Sequence, residues 1–403
     1  MSSTLPDPGQ ATTSFPKNRI EVLFLEGLHN SAHRIIEGEG FRLEAMNGAL
    51  DEAALVERIP SVHVLGIRSK TLVTEKVLQA AKRLLTVGCF CIGTNQVDLK
   101  AANRRGIPVF NAPFSNTRSV AELVLAEVIL LARRLPDRMK EMHSGLWKKV
   151  ASGSHEIRGK TLGIVGYGHI GTQVGILAES LGMRVLFFDI APRLPIGNNQ
   201  SVASLDELLA QSDFVTLHVP ETDLTRHLID AAAVAKMKPG SYLLNLARGT
   251  VVEVAAVADA LRSKHLAGAA FDVFPEEPQS SGDPFANELQ GLANVILTPH
   301  IGGSTEEAQE AIGREVAASL VKFVNTGSTT SAVNFPQIDA PLLSGRHRIL
   351  NVHRNVPGVL SAINKVVSDV KANIEGQVIA TDPQIGYLVM DLDRTVSEEV
   401  RSQ

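Results

Sequence analysis

Residues 161–190, TLGIVGYGHIGTQVGILAESLGMRVLFFDI, contain a Gly-x-Gly-x-x-Gly run between an apolar strand pattern and a helical pattern. In a strand–turn–helix unit of this kind, Gly166 permits the tight turn, Gly168 lets the backbone approach a pyrophosphate, and Gly171 lets helix and strand pack closely. Asp189 ends the next apolar strand, 18 residues after Gly171. The combination predicts a Rossmann-type unit that binds a dinucleotide at a helix N-terminus.

The carboxylate of Asp189 indicates which dinucleotide is bound. It can accept hydrogen bonds from both hydroxyl groups of a ribose, and it would repel a 2′-phosphate. The sequence therefore predicts NAD rather than NADP as the cofactor.

The glycine run lies in the second of two series in which short apolar runs alternate with helical patterns. The first series begins at residue 19 and the second at residue 160. This alternation predicts an α/β protein with parallel sheets, in which ligands bind at the carboxyl ends of the strands. Residues 347–393 instead follow the order β–α–β–β, which predicts an appended α+β module.

Two long helices are predicted outside these alternating series. The helix at 119–136 is apolar nearly all round, so it is expected to be buried, and we favour a subunit interface over a contact between domains. The helix at 304–325 is expected to begin at Ser304 as its N-cap, because acidic residues follow in its first turn.

Composition limits the partners and the location of the protein. With 403 residues, the chain is long enough for two or three domains. The formal net charge of −4 gives no electrostatic reason to expect nucleic acid or an anionic membrane surface as a partner. No run approaches the ~20 apolar residues of a membrane span, and the first residues lack the apolar core of a signal peptide. A cytoplasmic protein is therefore expected.

Three side chains suited to alcohol oxidation follow strands of the second series, namely Arg248, Glu277 and His300. The reaction needs a base for the hydroxyl proton, and histidine suits neutral pH. A carboxylate on the other imidazole nitrogen stabilises the imidazolium, and an arginine binds a substrate carboxylate through two N–H groups. We therefore predict His300 as the acid/base, Glu277 as its partner and Arg248 as the substrate anchor, with no metal.

The segments GYGHIGTQVGILAESLGM, ARGTVVE, FDVFPEEP and LTPHIGGST resemble the D-isomer-specific 2-hydroxyacid dehydrogenase family, and the resemblance extends over nearly the whole chain. It implies the same roles for the arginine, glutamate and histidine. The sequence departs from the family at Ala247, where a serine is common. The further cofactor contacts that the resemblance implies are His169, Ile170, His218, Val219, Pro220, Leu246, Ala247, Asp272, Gly302 and Gly303.

The resemblance also implies a flavodoxin-like substrate domain into which the Rossmann-type cofactor domain is inserted, followed by a module similar to an ACT domain. The expected boundaries are a disordered tail at 1–18, a substrate domain at 19–113 and 302–336, an NAD domain at 114–301, a linker at 337–346 and an ACT-like domain at 347–403. An ACT unit has the order β–α–β–β–α–β, so the ACT-like domain is expected to be incomplete.

Within this family, the ACT-like C-terminal module and the cations of the first strand–helix series favour a phosphorylated substrate. The expected reaction is NAD-dependent oxidation of D-3-phosphoglycerate to 3-phosphohydroxypyruvate, the first step of phosphorylated L-serine biosynthesis. The residues expected to bind the substrate anions are Arg68, Ser69, Lys70 and Asn116. The alternatives are another D-2-hydroxy acid or 2-oxo acid (hydroxypyruvate, glyoxylate or 2-oxoglutarate) and, in a different class, an NAD(H)-sensing protein resembling a corepressor.

The ACT-like module implies feedback regulation and assembly. In serine-inhibited relatives, a histidine and an asparagine of the first loop and an asparagine before the second strand hold the effector, which here implies His353, Asn355 and Asn373. A module that only dimerises, without an effector, is the alternative. The family implies a homotetramer in which the helix at 119–136 and the tail modules form contacts, and in which the segment around Trp147 and Lys148 reaches a neighbouring subunit.

Overall fold

The computed structural model describes residues 16–278, 282–343 and 345–393. These residues form two compact units, one of which interrupts the other along the chain. The flanking unit comprises the residues up to Ser115 and those from Gln309 onward, and the inserted unit comprises Asn116–Ala308.

The flanking unit contains a five-stranded parallel sheet with the strand order β2-β1-β3-β4-β5, which is the flavodoxin-like order. Its strands are β1 (Glu21–Phe24), β2 (Arg42–Ala45), β3 (Val64–Ile67), β4 (Thr86–Cys89) and β5 (Val109–Asn111). Its first helices are α1 (Asn30–Gly38), α2 (Glu52–Arg58), α3 (Glu75–Ala80) and α4 (Leu99–Arg104). The central strands are buried on both faces, as their continuous apolar sequences predict.

The inserted unit contains a seven-stranded parallel sheet with the order β12-β11-β10-β9-β6-β7-β8. Its strands are β6 (Thr161–Val165), β7 (Arg184–Phe188), β8 (Gln200–Ser201), β9 (Phe214–Leu217), β10 (Ser241–Asn245), β11 (Leu266–Phe271) and β12 (Val295–Leu297). Its helices are α5 (Thr117–Ala132), α6 (Leu135–His143), α7 (His169–Ser180), α8 (Leu205–Gln211), α9 (Ala231–Lys236) and α10 (Val254–Arg262). The order reverses between β6 and β9, and a Rossmann fold binds its ligand at that point.

The helix predicted at 119–136 is two helices in the structure. Arg134 has a left-handed backbone with φ of 52°, which ends α5, and Pro136 lies in the first turn of α6. Val124 and Val128 of α5 pack in the core of the inserted unit, so much of its apolar surface is covered by its own chain.

A long helix, α11 (Glu306–Thr326), follows the second sheet. The prediction that Ser304 caps this helix is wrong. Thr305 Oγ1 accepts a hydrogen bond of 3.2 Å from Ala308 N, three residues into the helix, which is the N-cap geometry. Ser304 N instead donates to Ile301 O at 2.8 Å, so Ser304 belongs to the preceding turn.

The C-terminal module of the flanking unit is a three-stranded antiparallel sheet with one helix. It consists of β13 (His347–Arg354), α12 (Val359–Asp369), β14 (Ile374–Thr381) and β15 (Ile385–Leu392), in the strand order β13-β15-β14. Leu388 and Met390 face α12, whereas Tyr387 lies in the core that the module shares with the rest of the flanking unit. The Tyr387 hydroxyl donates to Gly327 O at 2.6 Å, next to the end of α11. The predicted fold class is confirmed.

Arg348 joins the module to the segment before it. Its guanidinium makes two hydrogen bonds, of 2.8 and 2.7 Å, to the Asp391 carboxylate. It also donates to the carbonyl oxygens of Thr326, Ala340 and Pro341. Both members of the ion pair are buried. The segment predicted as a linker is therefore held at Ala340 and Pro341 by the first strand of the module.

The N-terminal residues differ in part from the predicted tail. Residues 1–15 lie outside the described residues, but Lys17–Arg19 form a short 3₁₀ helix, and Lys17 donates to the Glu39 carboxylate. Residues 394–403 of the predicted ACT-like domain and residue 344 of the predicted linker also lie outside. Among the residues that the structure describes, no helix is long and apolar enough to cross a membrane.

Candidate active site

The glycine run forms the turn between β6 and α7. Gly166 has φ of 91°, and a Cβ atom there would lie 2.5 Å from His218 O. A Cβ atom at Gly171 would lie 2.2 Å from Gly166 O. Both positions therefore exclude any larger residue, for the two reasons that the motif predicts: a left-handed turn and close packing.

Gly168 differs from its two neighbours in the motif because it faces open space. No described atom lies within 4 Å of the position that its Cβ would occupy. As the N-cap of α7 it has no side chain to cover the helix end, and His169 and Ile170 form the first turn. An anion such as a pyrophosphate fits this end of the helix, where backbone N–H groups point outward.

Asp189 follows β7, next to the glycine turn. Its Oδ2 atom accepts a hydrogen bond of 2.9 Å from Tyr167 N, and its Oδ1 atom accepts one of 2.9 Å from Ala191 N. Arg193 Nε lies 3.4 Å from Oδ2. The carboxylate is thus oriented by two backbone groups, and each oxygen keeps a lone pair for a further donor.

His218 follows β9, on the other side of the reversal point. Its Nε2 atom lies 3.0 Å from Thr216 Oγ1, whereas Nδ1 is buried and has no hydrogen-bond partner among the described residues. Burial lowers the pKa of His218 to about 3, so the ring is neutral. Val219, which is partly buried, and Pro220, which is exposed, follow. A buried ring nitrogen without a partner, beside an open helix N-terminus, fits a site that a bound dinucleotide completes.

The loop after β10 carries Arg248, and Asn245 holds this loop. Asn245 Oδ1 accepts from Ala247 N at 3.1 Å, and Asn245 Nδ2 donates to Arg248 O at 3.0 Å. Leu246 and Ala247 are buried. The Arg248 guanidinium donates to Ala247 O at 2.7 Å and makes no ion pair within the described ranges, so the rest of the guanidinium can bind an anion.

Gly249 brings the arginine loop against the loop that carries Glu277. A Cβ atom at Gly249 would lie 1.9 Å from the carbonyl carbon of Phe274. Phe274 N donates to Glu277 Oε1 at 3.1 Å. The other carboxylate oxygen, Oε2, lies 2.8 Å from Nδ1 of His300. The structure therefore brings together the three residues that the sequence predicts as catalytic, with Nε2 of His300 as the remaining ring nitrogen.

The electrostatics of the pair suit a proton acceptor with a fixed orientation. The hydrogen bond to Glu277 raises the pKa of His300 above its ordinary value; burial opposes this, and the charge of Asp272 adds to it. Burial raises the pKa of Glu277, but the hydrogen bond from His300 and the positive charges of His300 and Arg248 outweigh it, so the pKa lies below its usual range. Glu277 is thus ionised when His300 takes up a proton.

Asp272, at the end of β11, holds the backbone on both sides of His300. Its Oδ1 atom accepts from Thr298 Oγ1 at 2.6 Å and from Ile301 N at 2.8 Å, and its Oδ2 atom accepts from Gly302 N at 2.7 Å. His300 itself has φ of 53°, in the left-handed region. Because the carboxylate is only 2% exposed, these three donors fix the strained loop from beneath.

The two glycines after His300 leave no space for side chains. A Cβ atom at Gly302 would lie 2.9 Å from Asp272 Oδ2, and one at Gly303 would lie 2.1 Å from Asn116 Nδ2. Asn116, predicted to bind the substrate, therefore lies against the histidine loop. Its Oδ1 atom is buried and has no partner in the part of the chain that the structure describes.

Comparisons with known proteins show the family to which the chain belongs. A family model for the D-isomer specific 2-hydroxyacid dehydrogenase NAD binding domain matches residues 125–302. The D-3-phosphoglycerate dehydrogenase of Dictyostelium discoideum is 54% identical over 392 residues, which cover 97% of this chain and 96% of that enzyme. That of Escherichia coli K12 is also 54% identical, over 96% of this chain and 95% of its own. The chain belongs to the D-isomer-specific 2-hydroxyacid dehydrogenase family.

Solved structures of 2-hydroxyacid dehydrogenases share the fold. A D-2-hydroxyisocaproate dehydrogenase has a TM-score of 0.70 and 27% identity, over 78% of this chain and 100% of its own. The D-lactate dehydrogenase of Aquifex aeolicus, determined with NAD and lactic acid, has a TM-score of 0.66 and 28% identity, over 75% of this chain and 95% of its own. A second family model, an AHAS small subunit-like ACT domain, matches residues 349–403. The predicted family, its NAD-binding domain and the ACT-like module are confirmed.

In this family member, the predicted substrate residues Arg68, Ser69 and Lys70 lie in the flanking unit, in the loop after β3. Ser69 and Lys70 are exposed and Arg68 is half-buried. Neither cation forms an ion pair within residues 16–278, 282–343 and 345–393. The loop is held by Glu26. This contact could not be predicted from the sequence, because no local spacing connects Glu26 to residues more than 40 positions later.

The predicted effector residues lie at two ends of the C-terminal sheet. His353 is within β13 rather than in the loop that follows, and it is level with Thr381 across β15. Asn355 Nδ2 donates to Asp382 O at 2.8 Å, so it is at the same end. Asn373 is exposed immediately before β14, about 20 Å away along the strands. The structure therefore does not bring the three residues together within one chain.

Proposed function

We propose that the chain catalyses the NAD-dependent oxidation of D-3-phosphoglycerate to 3-phosphohydroxypyruvate, the first step of phosphorylated serine biosynthesis. The observation that carries the proposal is the hydrogen bond of 2.8 Å between His300 and Glu277, in an NAD-binding domain that also carries the guanidinium of Arg248. The substrate is taken from the relatives that match nearly the full length of the chain, which are D-3-phosphoglycerate dehydrogenases.

In this mechanism, Arg248 binds the substrate carboxylate and so places the C2 hydroxyl group at His300. His300 accepts the hydroxyl proton at Nε2, since Nδ1 is engaged by Glu277. The negative charge of Glu277 stabilises the imidazolium that forms, and its hydrogen bond keeps the ring oriented. Bound NAD supplies the acceptor for the two electrons and the hydrogen of the C2–H bond.

The cofactor is assigned to the glycine turn and the strand ends around it. The open N-terminus of α7 at Gly168 takes the pyrophosphate, and Asp189 takes the ribose hydroxyl groups. His218 supplies a neutral ring whose Nδ1 atom has no hydrogen-bond partner in the described part of the chain. The other cofactor contacts in this proposal are Gly166, His169, Ile170, Gly171, Val219, Pro220, Leu246, Ala247, Asp272, Gly302 and Gly303.

The phosphate of the substrate is assigned to the loop of Arg68, Ser69 and Lys70. Asn116 stays a predicted polar contact of the substrate. Two cations on one short loop suit a dianion, because a phosphate accepts several charge-assisted hydrogen bonds. Arg68→Ala should raise the KM for D-3-phosphoglycerate about 10- to 100-fold and leave the KM for NAD unchanged. Arg58→Ala, which removes an exposed arginine paired with Glu44, is the control.

One assay tests the whole proposal. NADH formation is followed with D-3-phosphoglycerate and with a panel of D-2-hydroxy acids that lack phosphate, and the reverse reaction is followed with hydroxypyruvate, glyoxylate and 2-oxoglutarate. The highest kcat/KM should belong to D-3-phosphoglycerate. A preference for an unphosphorylated acid would contradict the substrate assignment, and turnover of none of them would favour an NAD(H)-sensing protein.

Regulation by serine is a further part of the proposal. Because His353 and Asn355 lie at one end of the sheet and Asn373 at the other, we place the effector between modules of two copies in a homo-oligomer, with a tetramer and a cytoplasmic location as expected for the family. The exposed Trp147 suits a contact with another copy.

Millimolar serine should inhibit the enzyme, and Asn373→Ala should abolish this inhibition without changing the basal kcat. Inhibition that persists in the variant would contradict this site.

A further inference from the structure

Glu26 lies where the chain leaves β1, and the substrate loop begins where the chain leaves β3. The two strands are neighbours in parallel register, with Phe24 opposite Gly66. Leu25 N donates to Gly66 O at 2.9 Å, which extends the pairing to the residue before Glu26. The carboxyl ends of both strands meet at one edge of the sheet, so the side chain of Glu26 reaches the loop.

The carboxylate of Glu26 accepts hydrogen bonds from four consecutive backbone N–H groups. Its Oε1 atom accepts from Arg68 N at 3.1 Å and from Thr71 N at 2.9 Å. Its Oε2 atom accepts from Ser69 N at 3.1 Å and from Lys70 N at 3.0 Å. Successive N–H groups that converge on one point form an anion-binding nest, and here the anion is part of the protein.

The backbone of Glu26 is itself in an unfavourable conformation, with φ of 67°. Such conformations persist in a non-glycine residue only when the surroundings impose them. Here Glu26 N donates to Gly48 O at 3.0 Å and Gly27 N donates to Met46 O at 3.0 Å, which anchors the turn to the end of β2. The chain thus maintains a strained turn at the point where the carboxylate leaves the sheet.

The loop is also held from its carbonyl side. Gln96, which is buried, donates through Nε2 to Arg68 O and to Gly93 O. Thr71 is fully buried, so the loop is fixed at its end as well. Between these anchors, the backbone donors are consumed, whereas the side chains of Ser69 and Lys70 stay exposed. Recognition by this loop therefore falls to side chains.

We propose that Glu26 is a positioning residue for substrate binding: it fixes the backbone of residues 68–71 so that Arg68, Ser69 and Lys70 meet the anionic group of the substrate in one preset arrangement. The inference rests on the proposed function. A negative charge beneath the loop also offsets the mutual repulsion of the two cations in the free enzyme, which would otherwise favour their separation.

Glu26→Gln tests this role because it keeps the shape and removes the charge. The amide nitrogen is a donor, so it would face two of the four N–H groups and leave them unsatisfied. We expect amide hydrogen exchange of residues 68–71 to become about tenfold faster. We expect the KM for D-3-phosphoglycerate to rise about tenfold, with kcat within threefold of the wild type and an unchanged KM for NAD.

Glu26→Asp provides a second variant that keeps the charge, and its effects on exchange and KM should lie between those of the wild type and Glu26→Gln. Glu21→Gln is the matched control, because Glu21 lies at the opposite end of the same strand and pairs with Arg42 on the surface. It should change neither exchange nor KM.

Two results would overturn the proposal: exchange that Glu26→Gln leaves unchanged, or faster exchange with an unaltered KM. The exchange measurement reads the loop whatever the substrate is. Absence of turnover of D-3-phosphoglycerate by the wild type would instead refute the proposed function, so the two failures are distinguishable.

Discussion

The loop of residues 68–71 in the flanking unit and the loop of residues 298–302 in the inserted unit are held in the same way. In each, one carboxylate from the end of an adjacent strand accepts hydrogen bonds from the loop: Glu26 from four N–H groups, and Asp272 from two N–H groups and a hydroxyl. The difference is burial, since Glu26 is partly exposed and Asp272 is only 2% exposed.

The difference in burial corresponds to what each loop carries. The first loop presents the side chains of Arg68 and Lys70, which attract an anion through their charge. The second presents His300. In the proposed mechanism its ring must be aligned for proton transfer, and alignment depends on a surrounding structure that does not relax. Perturbing the first loop should therefore change KM, and perturbing the second should change kcat.

The largest expected effect on kcat comes from His300, whose loop Asp272 holds. His300→Asn should lower kcat about 10³- to 10⁴-fold, because the general base is lost, while NADH binding is spared. Steady-state kinetics and NADH fluorescence titration measure the two effects. His227→Asn, on an exposed loop residue that also has positive φ, is the control. Activity near that of the wild type would refute the mechanism.

Glu277→Gln should lower kcat about 100-fold and move the pH profile. The hydrogen bond to Glu277 raises the pKa of His300, and oxidation needs His300 unprotonated. Without the carboxylate this pKa falls, so the acidic limb of the kcat–pH profile should shift to lower pH. Glu276→Gln, which changes the exposed neighbour, should leave the profile in place. A shift to higher pH would contradict the assigned pairing.

Asp272→Asn tests the comparison directly against Glu26→Gln. The amide would face donors at Thr298, Ile301 and Gly302, so the histidine loop should loosen. We expect kcat to fall about 10- to 100-fold, with the KM for D-3-phosphoglycerate nearly constant. Asp259→Asn, in an exposed ion pair of the same unit, is the control. If Asp272→Asn and Glu26→Gln changed the same kinetic constant, the two loops would not differ in acting on the chemical step and on substrate binding.

Glu127 is a third carboxyl group, and it differs because neither oxygen has a partner in the described part of the chain. Burial, with a contribution from Asp272, raises its pKa to about 8 from an ordinary 4.5. The folded state therefore retains a proton that the unfolded chain loses, and stability present below pH 4.5 is lost as the pH rises towards 8.

Glu127→Gln should remove this loss, because glutamine stays neutral. We expect the variant to be more stable than the wild type at pH 9 by about 1–3 kcal/mol in the free energy of unfolding, with little difference at pH 4.5. Urea denaturation at the two pH values measures it, with the exposed Glu122→Gln as the control. A variant that is less stable at pH 9 would show that the carboxylate has a partner.

Much of the fold could be predicted from the sequence because its signals are local. The glycine run, the strand that precedes it and the aspartate 18 residues later lie within one βαβ unit, and a parallel sheet brings the strand ends at Arg248, Glu277 and His300 to one edge. The roles of these residues remain predictions, although Glu277 and His300 do lie 2.8 Å apart.

The supports of the site could not be predicted, since they are long-range contacts between unremarkable polar residues. Glu26 acts on residues 42–45 positions away, and Asp272 on residues 26–30 positions away. Only the position of Asn245, a polar residue at the end of a buried apolar strand, weakly indicates a role in holding the loop that follows. The break at Arg134 was missed because its left-handed residue is an arginine and not a glycine.

The clamp at Arg348 also sets a rule for recombining this protein with others. Three carbonyl groups before the C-terminal module, those of Thr326, Ala340 and Pro341, have their donor inside the module, and Asp391 orients that donor from the last described strand. A chimera that imports a different C-terminal module at residue 347 must therefore import an equivalent arginine–aspartate pair. Otherwise the three carbonyl groups lose the guanidinium of Arg348 as their donor. In the sequence alone, the same junction looks like a linker and therefore the safest place to cut.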